Sequence, residues 1–431
     1  MGESSAAVRD AIGRLLGDMA VVLEPPELMA GSRVSMRIEP RDAEALATAL
    51  RTLDSGSTPA IITGGGSRLG LGNPVRGAQV ELSCVGLVGI DELDAADGVI
   101  RVGAGTPLAE IERAVRPHGW QLPLDPPGQG TTVGGTLASA AAGPRRLGFG
   151  AARGCVLGLD TVLACGDRTR CGGRVVKNVT GYDLAKLYVG SLGTLGVIER
   201  AWLRLRPAPR STRVVVLSLG PDSDPYTFAL AAARHSAARA VALVCSELAD
   251  THMQGVGHPL DAADWLLVAE YAGDEEATRE GAERLAEGRA ASPGDLTAID
   301  ALRDLQGSVG ALGVRARLHV RPSRLAASCA LLRAAAAQLL VYPQPGVIYA
   351  FFDPSGCGDE DPWWLDGVFT ALERVRGEAK AELVVEELPE WGRGRRDVFF
   401  GGSGPLSLMR SIKARFDPNG TLNPGRFVGS I

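Results

Sequence analysis

The chain has 431 residues, 45% of them apolar and 22% charged, which excludes a small stapled scaffold and a disordered or fibrous protein and leaves room for two or three compact units. Forty-five basic against fifty acidic side chains leave a formal charge of −5 with no dense basic block, which argues against nucleic acid as the main partner. Only Lys177, Lys186, Lys380 and Lys413 are lysines; the other basic residues are arginine, a compositional bias to which no function is assigned.

In chain order, Ser4 to Met19 interleaves apolar residues with Arg9, Asp10, Arg14 and Asp18, unlike a secretory leader. From Thr58 to Pro207 short β-branched runs alternate with glycine, and Ala60–Thr63, Gln79–Val85, Val99–Val102, Leu157–Leu163 and Leu195–Leu205 read as strands. Gly166-Asp167 between two such runs predicts a hairpin. One helix is expected with Thr106 as cap, Pro107 at its first position, and Leu108, Ile111 and Val115 on one face until Gly119. Pro-Ala-Pro-Arg at 207–210 cannot continue a central strand and marks a boundary. Beyond it the spacing predicts helices over Tyr226–Ala240, Glu275–Glu287 and Arg324–Gln338, a strand over Val241–Val244, and a last helix over Leu406–Phe416 before an Asp-Pro-Asn-Gly turn. The fold class expected is α+β.

The seven cysteines (Cys84, Cys155, Cys165, Cys171, Cys245, Cys329, Cys357) contain no Cys-x-x-Cys pair, so neither a zinc knuckle nor a cysteine-ligated iron–sulfur cluster can be read, and reduced thiols in a cytoplasm are expected. No window approaches the roughly 18 apolar residues of a membrane span.

Three glycine-rich segments carry the chemical signal. Thr63-Gly64-Gly65-Gly66-Ser67-Arg68-Leu69-Gly70 follows a predicted strand, and consecutive glycines let backbone N–H groups converge on phosphate oxygens. A tight structural turn is the plain alternative. The dipeptide Gly-Lys occurs nowhere, so a P-loop is excluded. Leu69 stands where a Rossmann fingerprint needs its third glycine. Pro126-Pro127-Gly128-Gln129-Gly130-Thr131-Thr132-Val133-Gly134-Gly135 continues to Gly143 with small side chains at every position but Leu137, suiting either close approach by something flat or tight helix–sheet packing. The third segment runs from Gly172 through Lys177 and Tyr182 to Gly190-Ser191-Leu192-Gly193-Thr194-Leu195-Gly196-Val197-Ile198 and reads as a ligand wall.

Together these segments resemble the FAD-binding domain of the vanillyl-alcohol oxidase / p-cresol methylhydroxylase superfamily, and within it the FAD-binding small subunit of bacterial glycolate oxidase. The likeness covers Pro59 to Leu205, returns at Glu382 to Gly402, and ends at Phe416-Asp417-Pro418-Asn419-Gly420-Thr421-Leu422-Asn423-Pro424-Gly425-Arg426-Phe427. Ala142 departs from it where relatives often have serine, as does Gly154 where an acidic residue is common. The resemblance implies a p-cresol methylhydroxylase-type FAD-binding domain at 1–210, completed by 400–431, with an inserted α+β cap at 211–399. It implies FAD held by Gly64, Gly65, Gly66, Ser67 and Arg68, by Pro127, Thr132, Gly134, Gly135, Ala138, Ser139 and Gly143, and by Gly196, Ile198 and Asn423. The first loop and the stretch Thr132 to Gly143 contain neither histidine nor cysteine, so noncovalent FAD is expected.

The activity so implied is an FAD-dependent oxidation of a small 2-hydroxy acid to a 2-oxo acid, as a glycolate oxidase/dehydrogenase subunit with a catalytic flavoprotein and iron–sulfur partner subunits. The alternative is a non-catalytic FAD-binding subunit supporting such a flavoprotein. A metal-binding Gly-His-x-Gly-Asp-Gly-Asn-x-His string, common in catalytic relatives, has no match here, and no metal is expected. Substrate chemistry needs a cationic clamp and a base. Val314-Arg315-Ala316-Arg317-Leu318-His319-Val320-Arg321 places three arginines and a histidine on one strand face. Arg317, His319 and Arg321 are the candidate catalytic residues, since guanidinium suits a carboxylate and imidazole titrates near neutrality. A solvated face, or contact with an acidic partner, is the alternative. Tyr182 and Lys177 are lesser candidates. Trp363-Trp364 suits an interface anchor or the core.

Overall fold

The computed structural model describes residues 12–14, 16–174, 183–253, 264–287, 291–307, 313–354, 361–400 and 404–431. Lys177 and Tyr182 lie outside them.

Three sheets organise the chain. The first contains β1 (Ala20–Met29), β2 (Ser32–Ile38), β3 (Ala60–Thr63) and β4 (Val80–Ser83) in the order β1-β2-β4-β3, with β3 and β4 parallel. The helix Ala43–Ser55 covers it, capped by the Asp42 carboxylate accepting from the Ala45 amide and burying Leu46, Leu50 and Leu53 on one face. The second contains β5 (Ile90–Asp94), β6 (Val99–Gly103), β8 (Val156–Val162), β9 (Arg168–Gly172) and β10 (Val197–Arg204) in the order β5-β6-β10-β8-β9. The expected hairpin joins β8 to β9: the Leu163 amide donates to Asp167 O, and Gly166 turns with φ +83°. Two short strands, β7 (Trp120–Gln121) and β11 (Arg206–Pro207), pair with each other, β11 being the last element before the chain enters the third sheet.

The third sheet takes eight strands from Ser211 onward: β12 (Ser211–Leu219), β13 (Ala238–Cys245), β14 (Trp265–Gly273), β15 (Ala291–Gly294), β16 (Val314–His319), β17 (Gln338–Tyr342), β18 (Val347–Phe352) and β19 (Glu382–Glu387). Their order is β15-β12-β14-β13-β17-β18-β16-β19. Residues 265–271 of β14 are buried without alternation, as expected of a strand covered on both faces. On one face Trp265 and Tyr271 meet Tyr226 and His235 edge-on, with helices Pro225–Ala232 and Glu275–Ala286 packed there. On the other, Glu270 points toward the glycine-rich part of the chain.

Three expectations are corrected. Thr106 does not cap its helix: its hydroxyl bonds both backbone groups of Gly89, and Pro107 is the N-cap of Leu108–Val115. The alanine-rich helix expected to reach Ala240 ends at Ala232, and β13 begins at Ala238. The helix expected to reach Gln338 ends at Ala334, where Ala336 turns with φ +60° and Gln338 opens β17.

The third sheet is fastened to the rest by buried ion pairs. Glu270, 0% exposed, accepts from Arg239 Nη2 at 2.8 Å and Arg145 Nε at 2.9 Å. Asp125 accepts from Arg303 Nε at 2.7 Å and from the Arg145 amide at 3.0 Å. Burial alone raises the Glu270 carboxyl, but the two guanidiniums outweigh it and hold it below the usual carboxylate range. Glu270→Ala leaves the buried Arg239 without a carboxylate and Arg145 with only Asp125 at 3.5 Å, and is expected to cost about 3–5 kcal/mol of stability in urea unfolding. Glu378→Ala, at an exposed helical pair with Arg374, leaves the midpoint unchanged.

Candidate functional site

The glycine loop leaves β3 at Thr63, and its glycines are dictated by backbone approach. A Cβ on Gly65 would overlap the Gly130 carbonyl oxygen, one on Gly64 would sit 2.5 Å from Thr132 Oγ1, and Gly66 turns with φ +76°. The Thr132 hydroxyl accepts from the Gly135 amide and caps the helix Val133–Ser139, and Gly134 lies so close to Ala104 that a Cβ would meet it at 2.9 Å. Loop and helix are thereby pressed together along one wall of a cleft.

That cleft encloses about 780 Å³, open mouth included. Of the residues expected to hold a cofactor, Gly64, Gly65, Gly66, Ser67 and Arg68 line it from the loop, and Thr132, Gly134, Gly135, Ala138 and Ser139 from the helix. Gly196 and Ile198 line it as well. Pro127, Gly143 and Asn423 are not part of this lining. Pro127 packs near Gly307, Gly143 is pressed on the Asp125 carbonyl, and Asn423 is buried behind the loop. There the Asn423 carboxamide accepts from the Ile62 amide at 3.0 Å and donates to Leu192 O at 2.7 Å, so it braces the cleft from outside.

The donor set suits a dinucleotide diphosphate. Among the described residues the amides of Gly64, Gly65, Gly66 and Ser67 have no acceptor, and Arg68 keeps buried Nε and Nη1 atoms without a hydrogen-bond partner. Cys84 also lines the cleft, but burial and Glu81 push its thiol up to about 12, far from a nucleophilic thiolate.

Arg68 ties this cleft to the third sheet. Its Nη2 donates to Glu386 at 3.1 Å, and Arg317 Nε donates to the same carboxylate at 2.6 Å, with Arg315 Nε 3.7 Å away. The face holding Arg315, Arg317 and His319 is therefore an internal interface and not a solvated one. Burial pushes the Glu386 carboxyl up, but Arg68, Arg317 and Arg315 outweigh it and hold it at about 2. His319 is lowered to about 4 by burial, then by Arg317 and Arg146, against a smaller opposing pull from Glu386. Its imidazole is neutral near pH 7. Arg146, half-buried in the helix Arg146–Phe149, has no ion-pair partner among the described residues, and burial and Arg317 lower its pKa. Arg321 does not join this group. It follows β16 as the N-cap of a short 3-10 turn and is exposed.

Sequence reasoning missed Arg146, Glu386 and Arg426. Only Glu386 left a signal, an acidic pair closing the run Leu383-Val384-Val385. Trp363 is 86% exposed, whereas Trp364 packs against the core. Among the described residues no group of three or more His, Cys, Asp or Glu is arranged to hold a metal ion, and no helix is long and apolar enough to cross a membrane.

Residues 34–172 match the FAD binding domain family and residues 396–427 the C-terminal domain of FAD linked oxidases. Glycolate oxidase subunit GlcE of Escherichia coli (strain K12) is 40% identical over 172 residues, covering 39% of this chain and 49% of that protein. D-lactate dehydrogenase of Archaeoglobus fulgidus is 34% identical over 197 residues, covering 46% and 44%. This chain thus spans about half the length of these two relatives. The crystal structure of p-cresol methylhydroxylase with substrate bound superposes with a TM-score of 0.75 over 99% of this chain and 97% of that one, at 17% identity, a likeness of fold.

Gly65→Ala, which drives a methyl group into the Gly130 carbonyl, is expected to abolish flavin retention, read as loss of visible absorbance in the purified protein. Gly154→Ala, with open space around its Cβ, keeps the colour.

Proposed function

We propose that this chain, which carries an FAD-binding domain of the p-cresol methylhydroxylase type, is an FAD-dependent oxidoreductase of small 2-hydroxy acids, or the FAD-binding subunit of one. The observation that carries the reading is the cation surplus beside the cofactor cleft. Arg68, Arg315 and Arg317 share Glu386, Glu387 reaches only Arg315, and Arg146 is unpaired among the described residues. Such a buried excess of guanidinium favours an incoming carboxylate. The names of the relatives, glycolate oxidase subunit and D-lactate dehydrogenase, point to the same substrate class.

In this reading FAD, when bound, supplies the two-electron acceptor. The chain's own residues do the remainder. Arg146 and the free edge of Arg317 orient the substrate carboxylate. Neutral His319 accepts the hydroxyl proton on an imidazole nitrogen. Electrons then leave through a partner subunit or a diffusible acceptor, within a complex that includes a second flavoprotein and an iron–sulfur subunit.

One observation favours the alternative of a non-catalytic FAD-binding subunit: Arg317 already donates its Nε to Glu386 at 2.6 Å. Anaerobic addition of glycolate, D-lactate and other short 2-hydroxy acids to the purified chain separates the two. Bleaching of the flavin band without partners is the expected result, and a band that stays oxidised with every acid sinks the catalytic reading. Arg146→Gln and His319→Gln are each expected to slow bleaching by about 100-fold or more, the scale of one positioned acid–base or clamp group. Protonation of His319 removes the base, and its pKa is about 4. The rate is therefore expected to hold level across neutral pH and to fall only as pH drops toward about 4, which stopped-flow flavin reduction reads directly.

A further inference from the structure

Arg426 is 5% exposed, yet no carboxylate lies within ion-pair distance of it among the described residues. Its guanidinium holds only carbonyl oxygens of the segment that continues the glycine loop. Nε donates to Leu71 O at 3.2 Å, and Nη2 donates at 3.4 Å to both Arg68 O and Leu69 O. Nη1 has no acceptor among the described residues, and the side chain lines the cleft beside Gly64 to Leu69.

Its surroundings make the charge harder to bury. Arg68 and Arg393 reach the same short segment, Arg393 Nη1 donating to Gly70 O at 3.1 Å. Each of these two is paired, Arg68 with Glu386 at 3.1 Å and Arg393 with Glu390 at 3.1 Å. Burial and the neighbouring Arg393 lower Arg426 to about 10, so it remains charged at neutral pH. A desolvated cation facing a second cation, with three carbonyl dipoles as its partners, favours an incoming anion. The face still open to one is the cleft wall where the amides of Gly64 to Ser67 stand free.

We propose that Arg426 supplies the counter-charge for the diphosphate of FAD, completing from the far end of the chain the anion cradle that the glycine loop begins. The proposal rests on FAD binding and is independent of the substrate. It predicts that Arg426 distinguishes FAD from flavins lacking the diphosphate.

The test compares the full chain with Arg426→Gln and Arg426→Lys, measuring FAD and riboflavin dissociation constants by flavin fluorescence at rising salt. Arg426→Gln is expected to weaken FAD by about 10- to 100-fold, the range for one charge-assisted contact, while riboflavin affinity stays unchanged. Unchanged FAD affinity overturns the proposal. An equal loss for riboflavin overturns it as well, since Arg426 would then act only by holding the loop carbonyls. Should the glutamine variant not fold, Arg426→Lys decides: it keeps the charge but not the fork. FAD binding as salt-sensitive as in the unaltered chain supports the counter-charge, and loss of that sensitivity overturns it.

Discussion

A carboxylate that water does not reach stays ionised only inside a shell of donors. Glu386 meets that condition with guanidiniums from two separate parts of the fold, Arg68 on the glycine loop and Arg315 and Arg317 on β16. Moving the third sheet away from the glycine loop would leave the buried Arg68 without its carboxylate, so Glu386 helps to fix how that sheet sits against the loop. Glu270 and Asp125 repeat the device further along the interface through Arg145, Arg239 and Arg303. Desolvating each ion costs several kcal/mol, by order of magnitude, so these clusters specify how the two halves meet more than they add net stability. The apolar cores beneath each sheet supply the bulk of that.

The interface is also asymmetric in charge. Around Glu270 two guanidiniums share one fully buried carboxylate, and a second carboxylate, Asp125, lies close by to take the rest. Around Glu386 the cations outnumber the acids, and Arg146 adds one more without a partner among the described residues. Positive charge is therefore in excess at the end of the seam nearest the glycine loop. Burial and then the same field lower His319 to about 4, so the imidazole there is neutral near pH 7.

Much of the candidate cleft was legible because its glycines answer local demands. Gly64, Gly65 and Gly134 sit where a Cβ would strike neighbouring atoms, and Gly66 and Gly166 take positive φ, so composition betrays conformation. Helix ends in alanine-rich runs were not legible. Alanine favours helix throughout, and what stops the helices at Ala232 and Ala334 is the need to return the chain to β13 and β17. Thr106 looked like a cap because its hydroxyl could accept locally, but the Gly89 backbone, seventeen residues earlier, claimed it. The arginines of β16 looked ready for solvent because their partner Glu386 is 69 residues from Arg317 and 318 from Arg68. No local pattern encodes a shared carboxylate at that separation.

The same long separations shape how the cleft is completed. Leu422 pairs in parallel with Ala60, Asn423 donates its amide to Ala60 O, and its side chain spans 361 residues to the Ile62 amide. Lys413 fixes this arrangement by binding Asp417 together with Thr194 O and Leu422 O, and Asp417 in turn receives the Thr421 and Leu422 amides. β3 is an edge strand of the first sheet, and without this segment its outer backbone groups and the rear of the glycine loop would lack partners. Closing so long a chain costs only modest further entropy for each doubling of length, though contacts this far apart in sequence are slow to form. The glycine loop is thus backed by the same terminal segment that carries the buried Arg426.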